Sequence, residues 1–115
     1  MSLEDLYTAD SHDEGSEVQV KNSKGELVDF YIQLAGMDSQ VYRDEFRKQN
    51  RLKFLSGEEK DYDLEILVAA TIGWRGEFVE VEFSKEKARE LYIQAPYVRD
   101  RCEAFVVNRA NFTKS

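Results

Sequence analysis

The segment from Leu64 to Trp74 limits most strongly how this chain can fold, because it is apolar almost all round. A helix without a polar face has to be buried, so the segment predicts a central helix that the rest of the chain covers. Its β-branched residues leave a strand open, although about twelve residues without a breaker favour a helix. The run is about half as long as a membrane span, so it indicates a protein core and no membrane partner.

Two segments of alternating polarity precede the apolar run and predict a β-hairpin. The stretches 17–22 and 27–36 are joined by a turn that contains Gly25. Two such runs separated by about four turn-type residues typically pair as a hairpin. Every other side chain of the second stretch is apolar, so one of its faces is expected to meet the core. The residues of that face are Val28, Phe30, Ile32 and Leu34.

A long helix is predicted between the hairpin and the apolar segment. Asp38 or Ser39 can cap its start, and Gly57 suits its end. Helical spacing assigns several apolar side chains to one face, which we expect to pack on the core. These side chains are Tyr42, Phe46, Leu52 and Leu55.

Two more helices are predicted after the apolar segment. Residues 78–83 alternate in polarity and indicate either a short strand or an extended connector. Ser84 can cap the next helix, and Pro96 suits the first turn of the last one, which is expected to continue to Phe112. The predicted core-facing residues of the first of these helices are Ala88, Leu91 and Tyr92. Along the last helix the residues that recur at helical spacing are Val98, Cys102, Phe105, Val106, Arg109 and Phe112. Together the elements predict a mostly helical α+β domain, with an N-terminal β-hairpin packed against about four helices.

The negative charge is concentrated at the start of the chain. Residues 1–17 contain six acidic residues and no lysine or arginine, so the rest has 17 acids against 16 basic residues. This composition predicts a disordered acidic tail over residues 1–16 and a single domain over residues 17–115. A tail that docks on a basic partner is the alternative. The nearly neutral body argues against nucleic-acid binding driven by phosphate contacts.

Few residues could support catalysis or bind a metal. The single histidine, His12, lies in the predicted tail, and the single cysteine, Cys102, lies on a predicted buried helix face, as core cysteines do. One histidine and one cysteine cannot form a common zinc site, and no phosphate-binding loop is present. The sequence therefore predicts no enzyme and no cofactor. A lone cysteine and a start without a secretory signal predict a cytoplasmic protein.

The concentrated basic feature is a row of arginines at every fourth position, formed by Arg43, Arg47 and Arg51. It could contact an acidic partner helix or nucleic acid, or it could be a solvated helix face. The chain also has six tyrosines, seven phenylalanines and one tryptophan. Tyrosine, tryptophan and arginine are enriched at interface hot spots. We therefore take the three arginines, with Arg109 and Phe112 at the end of the last helix, as candidate partner-binding residues.

Four segments in succession resemble the tail assembly chaperones of long, non-contractile-tailed (siphovirus-type) bacteriophages. They are "GMDSQVYRDEFRKQ", an apolar segment that ends in "IGW", "VEFSKEKARELY" and "PYVRDRCEAFVVNRANF". The resemblance covers about residues 18–112. Its most specific parts are Gly73-Trp74, Phe83-Ser84 followed by Ala88 and Leu91, and the closing Arg109 to Phe112. The acidic segment before Glu17 is not part of this pattern.

The resemblance implies a non-enzymatic role in virion assembly. Such chaperones bind the long, largely helical tape-measure protein in the host cytoplasm, self-associate, and are absent from the finished particle. Many are also made in a frameshifted, longer form that recruits tail-tube subunits. The alternatives are a head–tail adaptor or another minor structural protein that stays in the virion, and a small nucleic-acid-binding regulator that uses the arginine row.

Overall fold

A computed structural model describes residues 2–113 of the chain. Three strands are present within this range: β1 (Ser16–Lys21), β2 (Leu27–Leu34) and β3 (Thr71–Arg75). Five α-helices are described: α1 (Ala9–Glu14), α2 (Gln40–Ser56), α3 (Tyr62–Ala70), α4 (Lys85–Gln94) and α5 (Pro96–Val106). Two 3₁₀ turns flank them, over Leu3–Leu6 and Arg109–Phe112. The predicted class, a mostly helical α+β domain with an N-terminal hairpin and about four helices, is confirmed.

The sheet is antiparallel in the order β1-β2-β3, so the second strand of the predicted hairpin lies at its centre. Ile32 pairs with Val18 on one side and with Trp74 on the other. The alternation of β2 places Phe30, Ile32 and Leu34 in the core, as predicted, while Val28 packs at the margin of the core. The helices cover this apolar face, because a three-stranded sheet cannot leave it in water.

The predicted continuous helix from Leu64 to Trp74 is wrong in its second half. The helix α3 ends at Ala70, and the chain continues directly into β3. Two β-branched residues, Thr71 and Ile72, begin the strand, where such side chains are favoured. The decisive factor is the free edge of β2, which supplies hydrogen-bond partners that a local sequence window does not show.

Polar contacts close the junction between α3 and β3. The Thr71 hydroxyl donates to the Leu67 carbonyl at 2.8 Å. The Lys85 ammonium group donates to the carbonyls of Val68, Ala69 and Thr71 at 3.1, 3.0 and 2.5 Å. A helix C-terminus has unpaired carbonyls and a partial negative charge. A lysine there donates hydrogen bonds to the carbonyls, and its positive charge is attracted to the helix end. These contacts hold α4 against the end of α3.

The helix α2 has the predicted ends but only part of the predicted packing. The Ser39 hydroxyl accepts a hydrogen bond from the Tyr42 N–H at 3.2 Å, and Gly57 terminates the helix with a left-handed φ of 66°. Phe46 and Leu55 were expected to face the core, yet both are exposed. The helix rests on α3, and its buried side includes Gln49 and the half-buried Tyr42, which lie two turns apart on the same face.

The prediction that residues 1–16 are disordered is wrong for α1. This short helix carries His12, which is only 1% exposed. A six-residue helix is not stable alone, so its tertiary contacts hold it in place. Composition reports the acidic character of the segment but not these contacts.

The predicted helix over residues 96–112 is also interrupted. The helix α5 ends at Val106, and Phe112 is carried by the 3₁₀ turn that follows. The Asn111 side chain donates to the Phe105 carbonyl at 3.0 Å and folds the turn back on the helix. Phe112 is therefore buried, as expected, but by a different backbone path. Residues 78–83 form a connector and no strand. No helix in the described part of the chain is long and apolar enough to cross a membrane.

Candidate partner-binding site

The exposed side of α2 carries the arginine row predicted from the sequence. Arg43, Arg47 and Arg51 project one turn apart, because residues four apart share a helix face. Phe54 continues the same row and is 88% exposed. Leu55, beside it, is 71% exposed. The outer face of α2 therefore combines positive charge with large apolar side chains.

A groove of about 410 Å³ runs beside this face. It is lined by Met37, Asp38, Tyr42, Arg43, Phe46, Arg47 and Arg109. The rings of Tyr42 and Phe46 stack with centroids 6.3 Å apart and form an apolar floor. We call this feature the α2 groove. The fold thus brings Arg109, from the far end of the chain, next to two of the predicted arginines.

A smaller cavity of about 80 Å³ extends the apolar floor toward α5. Tyr42 and Phe46 line it too, together with Ile66, Leu67, Val106, the half-exposed Val107 and two carboxylates, those of Asp63 and Glu103. The two cavities share the same pair of rings. An apolar side chain entering the α2 groove would therefore meet carbon on several sides.

The arginines of the site differ in how far their charge is already paired. Arg109 donates two hydrogen bonds to the Asp38 carboxylate, at 2.8 and 2.9 Å. Arg47 lies 3.6 Å from Asp44, and both side chains are more than half exposed, so this pair is weak. Arg43 and Arg51 have no ion pair within residues 2–113. They are the two charges of the row that an anionic partner could pair without competition.

Asp38 joins three parts of the chain at the edge of the groove. Its carboxylate accepts from the Thr8 hydroxyl at 2.6 Å as well as from Arg109, and its backbone N–H donates to His12 Nδ1 at 2.9 Å. The hydrogen bonds from Arg109 are the main reason that the pKa of Asp38 lies far below its usual value. We call this set of contacts the Asp38 clasp. It fixes the start of α2 to α1 and to the C-terminal turn.

His12 is the buried member of the clasp. Burial lowers the pKa of His12 below its usual value. The nearby Asp38 carboxylate raises this pKa, but by less than burial lowers it. Because Nδ1 accepts a hydrogen bond, the neutral ring carries its proton on Nε2, which lies 3.7 Å from an Asp38 oxygen. The ring also packs on Phe112, with centroids 4.7 Å apart. Sequence reasoning assigned His12 to a disordered tail and missed this role.

The five predicted partner-binding residues do not form one site. Arg43, Arg47 and Arg109 lie on the α2 groove, and Arg51 lies one turn beyond it. Phe112 is 4% exposed and packs on His12 and Phe105, so its ring supports the clasp and does not reach the surface. Phe46 and Tyr42 were missed as site residues because their spacing had assigned them to the core.

The side chains of Cys102 and Tyr92 are buried in the core, where they have structural roles. Burial raises the pKa of the Cys102 thiol to about 12, so the nucleophilic thiolate is suppressed. The Tyr92 hydroxyl lies 2.7 Å from the Thr71 hydroxyl inside the core. Residues 2–113 contain no group of three or more His, Cys, Asp or Glu side chains that could hold a metal ion.

No protein-family model, curated protein or solved structure matches the chain significantly. The features that bear on function are therefore its own surfaces. In the α2 groove, the exposed ring of Phe46 and the half-buried ring of Tyr42 occur together with the unpaired charge of Arg43.

Proposed function

We propose that this chain is a non-enzymatic tail assembly chaperone of a siphovirus-type phage or prophage, which binds and solubilises the tape-measure protein and self-associates. The observation that carries the proposal is the α2 groove, which the half-buried ring of Tyr42 and the exposed ring of Phe46 line together with Arg43, Arg47 and Arg109. The order of the segments along the chain, which resembles that chaperone family, supports the same function.

The groove suits an amphipathic helix. Such a helix can lay an apolar stripe on a hydrophobic floor while its charged residues pair at the rim. Here Tyr42 and Phe46 provide the floor, and Arg43 provides an unpaired cation at the rim. A partner that fits carries apolar residues three or four apart with acidic residues beside them.

A shallow, open site favours weak and reversible contacts. A long tape-measure protein offers many helical segments, and several copies of the chaperone bound along it would add their affinities through multivalency. Each contact would remain easy to displace when tail-tube subunits arrive. We place this activity in the cytoplasm of the bacterial host, with the chaperone absent from the finished virion. A frameshift-extended form, where the gene encodes one, would recruit the tail-tube protein.

Co-expression with the tape-measure protein of the same tail gene cluster tests the proposal. We expect the wild-type chain to keep the tape-measure protein soluble and to co-purify with it. The double variant Arg43→Glu/Arg47→Glu reverses the charge of the groove and should lose both effects. The matched control is Lys21→Glu/Lys24→Glu, which makes the same charge change on the exposed hairpin. A tape-measure protein that still precipitates with excess wild-type chaperone would overturn the proposal.

The arginine row also favours a second candidate, a small nucleic-acid-binding regulator. Binding of that kind would weaken steeply with salt and would be lost in Arg47→Glu in a gel-shift assay. Mass spectrometry of purified virions addresses the head–tail adaptor, which would be found in the particle. A chaperone should be missing from it.

A further inference from the structure

The α2 groove and the small cavity beside it form one trough. Both are lined by Tyr42 and Phe46, whose stacked rings are the floor that they share. Each residue along an α-helix turns the side chain by about 100°. Arg43 and Arg47 follow the two floor rings by one residue, so they form the rim that is turned away from α3. The opposite rim is formed by α3 and α5.

The rim formed by α3 and α5 is negative. It carries two carboxylates, those of Asp63 and Glu103. Burial raises the pKa of the Tyr42 hydroxyl, and the negative charges of Asp63 and Glu103 raise it further, so both carboxylates act on the floor. Glu103 already accepts a hydrogen bond from Arg99 at 2.9 Å. Asp63 is exposed and forms no ion pair in the part of the chain that the structure describes, so a cationic group could pair with it without competition.

The rim formed by α2 offers a charge of the other sign. Arg43 is exposed and has no ion pair among the described residues, and Arg47 is only weakly paired with Asp44. The apolar floor therefore lies between an unpaired cation and an unpaired anion. A purely acidic or purely basic partner meets a like charge on one rim, which weakens binding. The phosphate backbone of a nucleic acid is repelled by Asp63 and Glu103 for the same reason.

We propose that the trough binds an amphipathic helix whose two flanks carry opposite charges, with acidic residues facing Arg43 and Arg47 and a lysine or arginine facing Asp63. The apolar stripe between the flanks rests on Tyr42 and Phe46. A long basic side chain suits the cavity, since its methylene groups can lie on apolar walls while its charged end stays at the carboxylates. An apolar cavity of about 150 Å³ holds a benzene molecule. The cavity here, of about 80 Å³, has room for one such stem.

This inference deepens the proposed function, on which it rests for the expectation that the partner is helical. The α2 groove alone selects acidic residues, and the negative rim adds the requirement for a basic residue on the other flank. Reversing a helix along the trough exchanges its two flanks. The separation of charge therefore also determines the direction in which a given partner helix lies along α2.

Binding of synthetic peptides to the full-length chain tests the inference. The sorted peptide has leucines at helical spacing, glutamates along one flank and lysines along the other, and is about 20 residues long so that it forms a helix in water. The mixed peptide has the same composition and helicity, with both charges interleaved on each flank. In fluorescence anisotropy at low salt, the sorted peptide should bind about fivefold more tightly, because it places no like charge on either rim. Added salt should reduce this difference.

Asp63→Lys makes both rims positive. This variant should lose the preference for the sorted peptide and should bind a third peptide, in which glutamates replace the lysines, more tightly than the wild type does. Asp63→Asn, which removes the charge without reversing it, should reduce the preference less. Glu86→Lys is the matched control, because Glu86 is exposed, lies like Asp63 in the first turn of a helix, and lines neither part of the trough. It should bind the peptides as the wild type does, and circular dichroism should show that every variant is folded.

Several results would overturn the inference. The wild type could bind the sorted and mixed peptides equally, or bind neither of them. The preference could persist in Asp63→Lys, or duplex DNA could bind the wild type more tightly than the sorted peptide does.

The two proposals fail in different ways. A chain that solubilises the tape-measure protein without preferring the sorted peptide contradicts the inference and leaves the proposed function standing. A chain that prefers the sorted peptide but does not bind the tape-measure protein contradicts the proposed function alone.

Discussion

The helices α2 and α3 pack against each other but differ in where their apolar side chains lie. In α3 most of the chain is buried, including Leu64, Leu67 and Val68. In α2 the largest apolar groups, Phe54 among them, face water, and the buried position is the polar Gln49. The comparison separates apolar residues that stabilise the fold from apolar residues that remain available to another molecule.

The same contrast exists within α2. Its first turn is held by the Asp38 clasp, which connects it to α1 and to the C-terminal turn. Its last turn, with Phe54 and Leu55, makes no comparable contact among the described residues. We therefore expect substitutions to have large effects on stability in α3, intermediate effects at the clasp and small effects in the last turn of α2.

The largest loss of stability is expected for Leu67→Ala, at the centre of α3. Leu67 is buried in the core cluster, so truncation removes apolar contacts and leaves a cavity. The free energy of unfolding should fall by about 3 kcal/mol, as measured by urea denaturation. A loss below about 1 kcal/mol would mean that α3 is not the centre of the core, and the contrast with α2 would disappear.

Gly36→Ala should have an intermediate effect through the clasp. A β-carbon at Gly36 would overlap the imidazole of His12, which is fully enclosed and has little room to move. The strain should lower the free energy of unfolding by about 2 kcal/mol. Gly73→Ala is the matched control, because its β-carbon would meet nothing closer than 3.9 Å. Equal behaviour of the two variants would show that His12 is not packed there.

The burial of His12 should also make the stability of the chain depend on pH. Burial lowers the pKa of His12 in the folded state, so the folded chain binds fewer protons than the unfolded chain. Its contribution to stability is therefore complete above about pH 6.5 and is lost as the pH falls through the folded-state pKa. The urea midpoint should drop between pH 7.5 and pH 5. In His12→Asn, which keeps an acceptor for the Asp38 N–H but does not titrate, the drop should be smaller. If the urea midpoint fell equally with pH in the wild type and in His12→Asn, the conclusion that His12 is buried would be contradicted.

The smallest effect on stability is expected for Phe54→Ser in the last turn of α2. Because the ring is exposed, the free energy of unfolding, measured by urea denaturation, should stay within about 0.5 kcal/mol of the wild type. A clearly destabilised variant would show that Phe54 belongs to the core. The apolar side chains of α2 would then stabilise the fold as those of α3 do, only to a smaller extent.

Local patterns in the sequence were sufficient for several parts of the structure. Strict alternation placed Phe30, Ile32 and Leu34 in the core, because neighbouring side chains of a strand point to opposite faces. The caps Ser39 and Gly57 marked the ends of α2, since each acts on backbone groups within a few residues. The arginine row was visible as well, because helical geometry alone aligns residues four apart.

Long-range contacts decided what these patterns could not. Thr71 begins a strand because the edge of β2 is open to it, and His12 is buried because Gly36, Asp38 and Phe112 surround it. The α2 groove joins Arg109 to Arg43, which are far apart along the chain. No window of sequence contains such neighbours.

The sequence by itself determined the class of fold, the N-terminal hairpin and the charge row of α2, because each depends on spacing along a few turns or pleats. Only the tertiary structure decided which face of α2 is buried, where α3 ends and what the two chain ends contact. The physical reason is that burial depends on which surfaces meet, and a mixed helix such as α2 offers more than one side to its neighbours.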